Sequence, residues 1–438
     1  MRGGHSRPTA QFRSAAVALA LAVALSLITV PTIAAASLNR SWVATVGSGT
    51  AAISAYVDGT GSLALKLKGL KPSTSYPTVL HKGACSSVGP KLMTLASFTT
   101  TTKGLATKSF ALSTSQTAAI IAAAADGATV ALRVGKGSLV KCGVFASQPV
   151  IVARIAVGEA PHGMAVDATS VWTVNYFDEN VTRINQTTNT VGATVAVGHE
   201  PDSIASDGTA VWVTNSADNT VSRIDVATNT VTATIPVGTA PTGIAAAGGA
   251  VWVANQGANT VSRIDPLTNT VTATVPVGLW PSRIAYGEGA VWVNNWMEGS
   301  VSRIDPATNM VTATIFVGAI DDIVAGRGGV WVSVWGSPVR ANGSVARIDP
   351  ATNTVSSQVT VGYDPTGMAV VGDSVYVALS GDPTVVQLRA GAVASRIAVG
   401  MKSYCLSFAN GSLWVLHPVG SAIGGGTLFA GGVTRVNL

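Results

Sequence analysis

Only 11% of the 438 residues are charged, and only three are cysteine. So few charges exclude a chain held open by its own solvation, and three cysteines permit one disulfide at most. Long apolar runs are scarce too. The stretch Ala15 to Val30 is followed by no second one, which excludes a protein of several spanning helices. Yet 47% of the residues are hydrophobic and 47 are glycine. The apolar surface must therefore be buried in short, glycine-broken pieces.

Those pieces form a repeat. From about Ile151 onward one phrase returns roughly every forty residues, written from Ala250 as AVWVANQGANTVSRIDPLTNTVTATVPVGLWPSRIAYGEG. Its anchors are Trp172, Trp212, Trp252, Trp292, Trp331, Tyr376 and Trp414, seven in all. Around each anchor apolar residues alternate with period two, in runs rich in Val, Ile and Thr. The unit predicts four strands, Gly243 to Ala246, Ala250 to Ala254, Val261 to Ile264 and Thr270 to Val275. Four strands at this spacing make a propeller blade. In the turn from Asp265 to Thr270, Pro266 presets φ and Asn269 tolerates the left-handed region. Asp225, Asp265, Asp305 and Asp349 are therefore structural acids, and the V-W-V tryptophans are core.

Seven copies of every strand are reached only if Ile151 to Val157 completes the last blade beside Val433 to Val436. The expected fold is all-β: a seven-bladed β-propeller from residue 149 to 438, closed by pairing of its N- and C-terminal strands. Residues 37 to 148 lack the repeat. Their alternating stretches, such as Ser62 to Leu67 and Thr129 to Val134, predict a small β-sandwich domain. Residues 1 to 36 read as a signal peptide, with Arg2, Arg7 and Arg13 before the apolar run and Ala34 and Ala36 at an A-x-A cleavage site. Export outside the cytoplasm follows, with retention as an anchor the alternative.

Charge divides unevenly. Residues 37 to 150 hold eleven basic residues against Asp58 and Asp126, whereas residues 151 to 438 hold thirteen against nineteen acids. Lys66, Lys68, Lys71 and Lys82 give the first domain a face for an anionic cell-surface polymer. No aromatic residues interleave with these lysines and no recognised motif accompanies them, so nucleic acid is not an expected partner.

Function in a propeller concentrates where repeats disagree. Ten residues before the anchors stand His162, Asp202, Thr242, Ser282, Asp321, Thr366 and Tyr404; two positions earlier come Glu200, Trp280 and Asp364, and one later Arg283, Asp322 and Cys405. Asn175, Asn215, Asn255, Asn295 and His417 follow the anchors by three. All these positions should open on one face, together with Tyr176, Phe177, Trp296, Trp335 and Tyr363. Aromatic rings beside carboxylates and an arginine suit a ligand with polar and apolar faces, whether carbohydrate, peptide or protein. The ligand-binding candidates are Tyr176, Trp280, Arg283, Trp296, Asp321, Asp322, Trp335, Asp364 and Tyr404.

The V-x-N-x-x-x-N-T-V-S-R-I-D-P-x-T-N-T-V unit resembles the YVTN-type β-propeller repeat, and P-x-G-I-A with V-W-V is similar to repeats of the streptogramin B lyases. That second resemblance implies a metal-dependent carbon-oxygen lyase, with His162 and Glu200 at matching places and Asp202 where the family has histidine. A divalent cation such as Mg or Ca would then sit on Glu200 and Asp202, with His162, Glu200 and His417 as catalytic candidates; ring closure should bring His417 beside His162. A secreted, non-enzymatic binding protein is the leading reading, and the lyase is its alternative. Gly69-Leu70-Lys71-Pro72, His81-Lys82-Gly83-Ala84-Cys85 and Cys142-Gly143 resemble the sandwich of copper/zinc superoxide dismutases and chordin-type domains. With His81 the only histidine of that domain, dismutase metal chemistry is not expected. A Cys85–Cys142 disulfide fits an oxidising compartment and leaves Cys405 free.

Overall fold

The repeated turn carries its own closure. Asp225 Oδ1 accepts the N–H groups of Ala227 and Thr228, and the N–H of Asn229 returns to the Asp225 carbonyl at 2.9 Å. Asn189, Asn229, Asn269, Asn309 and Asn353 all take φ of 55–57°, the left-handed region that asparagine adopts at little cost. The turn acids are structural, as the repeat implied.

The computed structural model describes residues 38–438 except 47, 57–60, 69, 84–87, 126–129, 136–140, 337–341 and 419–430. The expected signal peptide, Cys85 and the side chain of Cys142 fall outside the described residues. Seven four-stranded antiparallel sheets follow one another along the chain. Blades 1 to 6 begin at Pro161, Pro201, Pro241, Pro281, Ile320 and Pro365. Blade 3, for example, comprises Pro241–Ala247, Ala250–Asn255, Thr260–Asp265 and Thr270–Pro276. Blade 7 is composite: Cys405–Ala409, Ser412–His417 and Gly432–Asn437 are completed by Val150–Ala156, with Val433 opposite Ile155. The ring closes by the pairing the repeat count demanded.

Trp172, Trp212, Trp252, Trp292 and Trp414 are fully buried between sheets. The arginine of each V-S-R-I strand, opposite the tryptophan in the register, lays its guanidinium over that ring at 4.9–5.7 Å. This cation–π contact caps the outer edge of the core. Arg183, Arg303 and Arg435 go further and bond the turn asparagine of the next blade, Asn229, Asn353 and Asn189. The same residue thus ties blade to blade.

Ahead of the ring, strands between Leu38 and Gln148 form one eight-stranded sheet around a single core including Ile53, Leu63, Leu80 and Leu132. Along Gly61–Leu67 the inward Leu63, Leu65 and Leu67 alternate with exposed Ala64 and Lys66. One feature departs from the all-strand expectation: Thr114–Ala125 is an α-helix. Ser113 and Gln116 form its capping box, each side chain bonding the other's N–H, and alanine favours helix thereafter.

The inner strands explain how blades meet at the axis. In blades 1, 2, 3, 5 and 6 the pairing of inner and second strands skips, as between Pro161 and Met164, so two inner residues face one partner. Such a bulge re-aims side chains, here those of His162, Asp202 and Asp321. A glycine in one blade often faces a larger residue in the next, Gly163 against Ser203, Gly243 against Arg283, Gly367 against Cys405. A Cβ on Gly243 would stand 2.5 Å from the Ser282 carbonyl oxygen. Gly243→Ala should therefore destabilise by about 2 kcal/mol through overpacking, visible as a lower Tm; an unchanged Tm would refute this tight approach.

Candidate functional site

Five rim residues sit in the left-handed region just before an inner strand: Ala160, Glu200, Ala240, Trp280 and Asp364, with φ of 48–56°. Each carbonyl accepts the N–H of the residue that ends its own V-W-V loop, as in Trp296 to Trp280 at 3.0 Å and Ser216 to Glu200 at 3.0 Å. The backbone clasp is constant, while the paired side chains vary from blade to blade. This is why neighbours in the clasp become Trp280 with Trp296 in blade 4 and Glu200 with Ser216 in blade 2.

The rings gather as the sequence suggested. Trp280 and Trp296 stack at 5.8 Å, and Trp335 meets Trp296 edge-on at 6.4 Å. All three remain 39–42% exposed, an unusual state for tryptophan in a protein that buries five others completely. Across the opening His162 stacks on Tyr176 at 4.6 Å and lies 6.4 Å from Tyr404. Between the two groups is a cavity of about 550 Å³, lined among others by Glu200, Asp202, Arg283 and Asp321. It leads into a narrower channel holding Asp322, Tyr404 and Cys405.

Charge at this mouth is organised around Asp202. Its Oδ1 lies 3.1 Å from His162 Nδ1, and its Oδ2 accepts from Arg283 Nη1 at 3.3 Å. Burial alone would raise its pKa, but the His162 hydrogen bond and the Arg283 charge outweigh burial and hold it below the usual carboxylate range. Burial works against the charged form of Arg283 as well, and Asp202 reverses the balance so that its proton is held more firmly. The deeper acids behave differently. Burial raises Asp321, and pushes Asp322 up to about 6, although Asp322 Oδ2 accepts the Met368 N–H at 2.7 Å. Burial also raises Tyr404 and takes the Cys405 thiol up to about 11; Cys405 is a free cysteine.

His417 is a correction. It is fully buried, with Nδ1 bonded to the Lys402 carbonyl and Nε2 to Thr434 Oγ1, each at 2.8 Å. It does not join His162 at the mouth. It takes the place that Asn175, Asn215, Asn255 and Asn295 hold in blades 1 to 4, where each amide donates to hydroxyl groups of the adjacent strand. Those asparagines are buried too, so this whole set belongs to the blade interiors. Asp364 stands on the rim with its carbonyl accepting from Ser380, and is not among the residues lining the mouth cavity.

The residues at Glu200 and Asp202 do not fit a divalent cation. Such an ion takes six or more oxygen ligands, while Asp202 is held by a guanidinium that would repel it. Among the described residues no three His, Cys, Asp or Glu side chains converge as a metal site. Sequence reading missed the Asp202–Arg283 pair because its members lie in blades 2 and 4, 81 residues apart.

No family model matches the sequence, and no curated protein matches it. Solved structures do. Hydrazine synthase of Kuenenia stuttgartiensis is similar over 60% of this chain and 94% of its own, at 19% identity and a TM-score of 0.54. A streptogramin B lyase structure is similar over 66% of this chain and 98% of its own, at 14% identity and a TM-score of 0.55. At such identities these likenesses establish the β-propeller fold and nothing about activity.

Proposed function

We propose that the protein is a binding propeller that works outside the cytoplasm, and that its varied rim holds a ligand with both apolar and polar faces. The observation carrying this reading is the half-exposed cluster of Trp280, Trp296 and Trp335, of which the first two line the cavity that the Asp202–Arg283 pair also lines. Apolar rings left in water at the mouth of a polar cavity are the composition of a recognition site, not of a core. Carbohydrate, peptide and protein loops all present such mixed surfaces. The leader motif supports export, and among the described residues no helix is long and apolar enough to cross a membrane. Exposed Lys66, Lys68 and Lys71 would hold the leading domain against an anionic cell-surface polymer.

The test is a glycan and peptide screen followed by titration of Trp280→Ala and Trp296→Ala. Both side chains are peripheral to the packed core, so Tm should stay within a few degrees while affinity for any ligand found falls at least tenfold. Undiminished affinity in both variants would move the site elsewhere. A screen without any ligand would leave the rim without a recognition role and overturn the reading.

A further inference from the structure

The mouth contains more negative charge than its own groups neutralise. Arg283 and His162 are both engaged with Asp202. Glu200 accepts from Ser216 Oγ, a neutral donor, at 3.3 Å. Asp321 belongs to neither set of hydrogen bonds, and Arg283 reaches it only through its charge. It lines the mouth cavity and the channel below it, and among the described residues no hydrogen bond or ion pair reaches its carboxylate; only its backbone carbonyl is used, by Asn294 Nδ2 at 2.7 Å. The Arg283 charge favours its ionised form against burial, yet no donor holds the carboxylate, and it borders the cavity that Trp280 and Trp296 also line.

Resting on the binding role of the rim, we propose that its ligand carries an organic cation, an alkylammonium or guanidinium group, which pairs with Asp321 beneath the Trp280 and Trp296 rings. Indole faces attract such cations, and an adjacent carboxylate supplies the charge-assisted hydrogen bond. A neutral sugar would donate hydroxyl hydrogen bonds to Asp321 but bring no counter-charge, and an anion would meet Glu200 and Asp321 with only Arg283 to offset them, itself already paired with Asp202. The group that fits is the end of a lysine or arginine side chain on a peptide, or the same chemistry on a free polyamine.

Calorimetric titration of the leaderless protein with one peptide sequence carrying Lys, Arg, Gln or Glu at its centre, and with spermidine, separates the outcomes. The Lys or Arg peptide should bind at least tenfold more tightly than the Gln peptide, and the Glu peptide more weakly still. Asp321→Asn should abolish that preference while the Gln peptide binds as before; because among the described residues no hydrogen bond or ion pair holds the carboxylate and burial outweighs the Arg283 charge, this variant should fold with unchanged or higher Tm. Spermidine binding as tightly as the Lys peptide would identify the free polyamine as the source. Equal binding of Lys and Gln peptides, with both lost in Trp280→Ala, would overturn the cation and leave the binding role standing. No binding by any of these probes, in a protein whose Trp280→Ala variant also loses a neutral glycan, would overturn it equally.

Discussion

Deleting residues 432–438 should convert the propeller from a cooperatively melting ring into an opened, aggregating chain. Gly432–Asn437 is the third strand of blade 7 and lies between Ser412–His417 and Val150–Ala156. Without it Val150–Ala156 loses its strand partner and cannot complete the blade. Val433 and Val436 are fully buried, and each is worth about 1.5–3 kcal/mol of burial. Arg435 is lost with them, taking away its contact over Trp414 and its bonds to the Gln186 carbonyl at 2.6 Å and Asn189 Oδ1 at 3.0 Å. Those two bonds join blade 7 to blade 1. The sum is comparable with the roughly 5–15 kcal/mol that holds a typical domain together, and the exposed strands are templates for association. Calorimetry would show the main transition displaced by well over ten degrees or absent, and light scattering would show aggregates. A truncated protein melting cooperatively near the wild-type temperature would mean that ring closure contributes little.

This closure was legible in the sequence because it is a counting argument, and counting needs only local patterns. The same holds for the turn acids, for the buried tryptophans and for the meeting of Trp280 with Trp296, whose positions in one blade are set by a backbone clasp sixteen residues long. What could not be read is what depends on side-chain direction across blades. His417 is adjacent to the closure and was expected at the mouth, but strand alternation turns it inward, and its equivalence to four asparagines was the available sign. Asp202, with aspartate where the lyases have histidine, reads as a metal ligand beside Glu200; its guanidinium partner reaches it from blade 4, beyond any pattern in the chain. The helix at Thr114 was announced by Ser113 and Gln116 three residues apart, within a region whose alternation pointed to strands.

Two buried groups should oppose each other in the pH dependence of stability. Burial, with the Arg154 charge nearby, lowers His417 to about 4, although the Lys402 carbonyl favours its proton; an exposed histidine titrates near 6.5. The neutral ring is thus part of the fold, and its contribution, complete above 6.5, is lost as pH falls toward 4. Asp322 runs the other way. Its folded value of about 6 lies above the unfolded 3.8, so its contribution is complete below the unfolded value and is lost as pH rises through 6. Between pH 7 and pH 5, linkage at about 1.4 kcal/mol per pH unit makes His417 cost about 2 kcal/mol and Asp322 return about 1 kcal/mol. The wild type should change only slightly over this range, above the region where Asp167 and Asp207, held low by hydrogen bonds that outweigh burial, begin to titrate. His417→Asn installs the residue that blades 1 to 4 use, and should make the protein more stable at pH 5 than at pH 7. Asp322→Asn can still accept the Met368 N–H and removes a charge stabilised only in part by Arg283. It should be more stable than wild type at pH 7 and lose that advantage, by about 1 kcal/mol, at pH 5. Urea unfolding of the three proteins at both pH values reads all of this directly. Parallel pH profiles for wild type and both variants would show that neither group titrates differently in the folded protein.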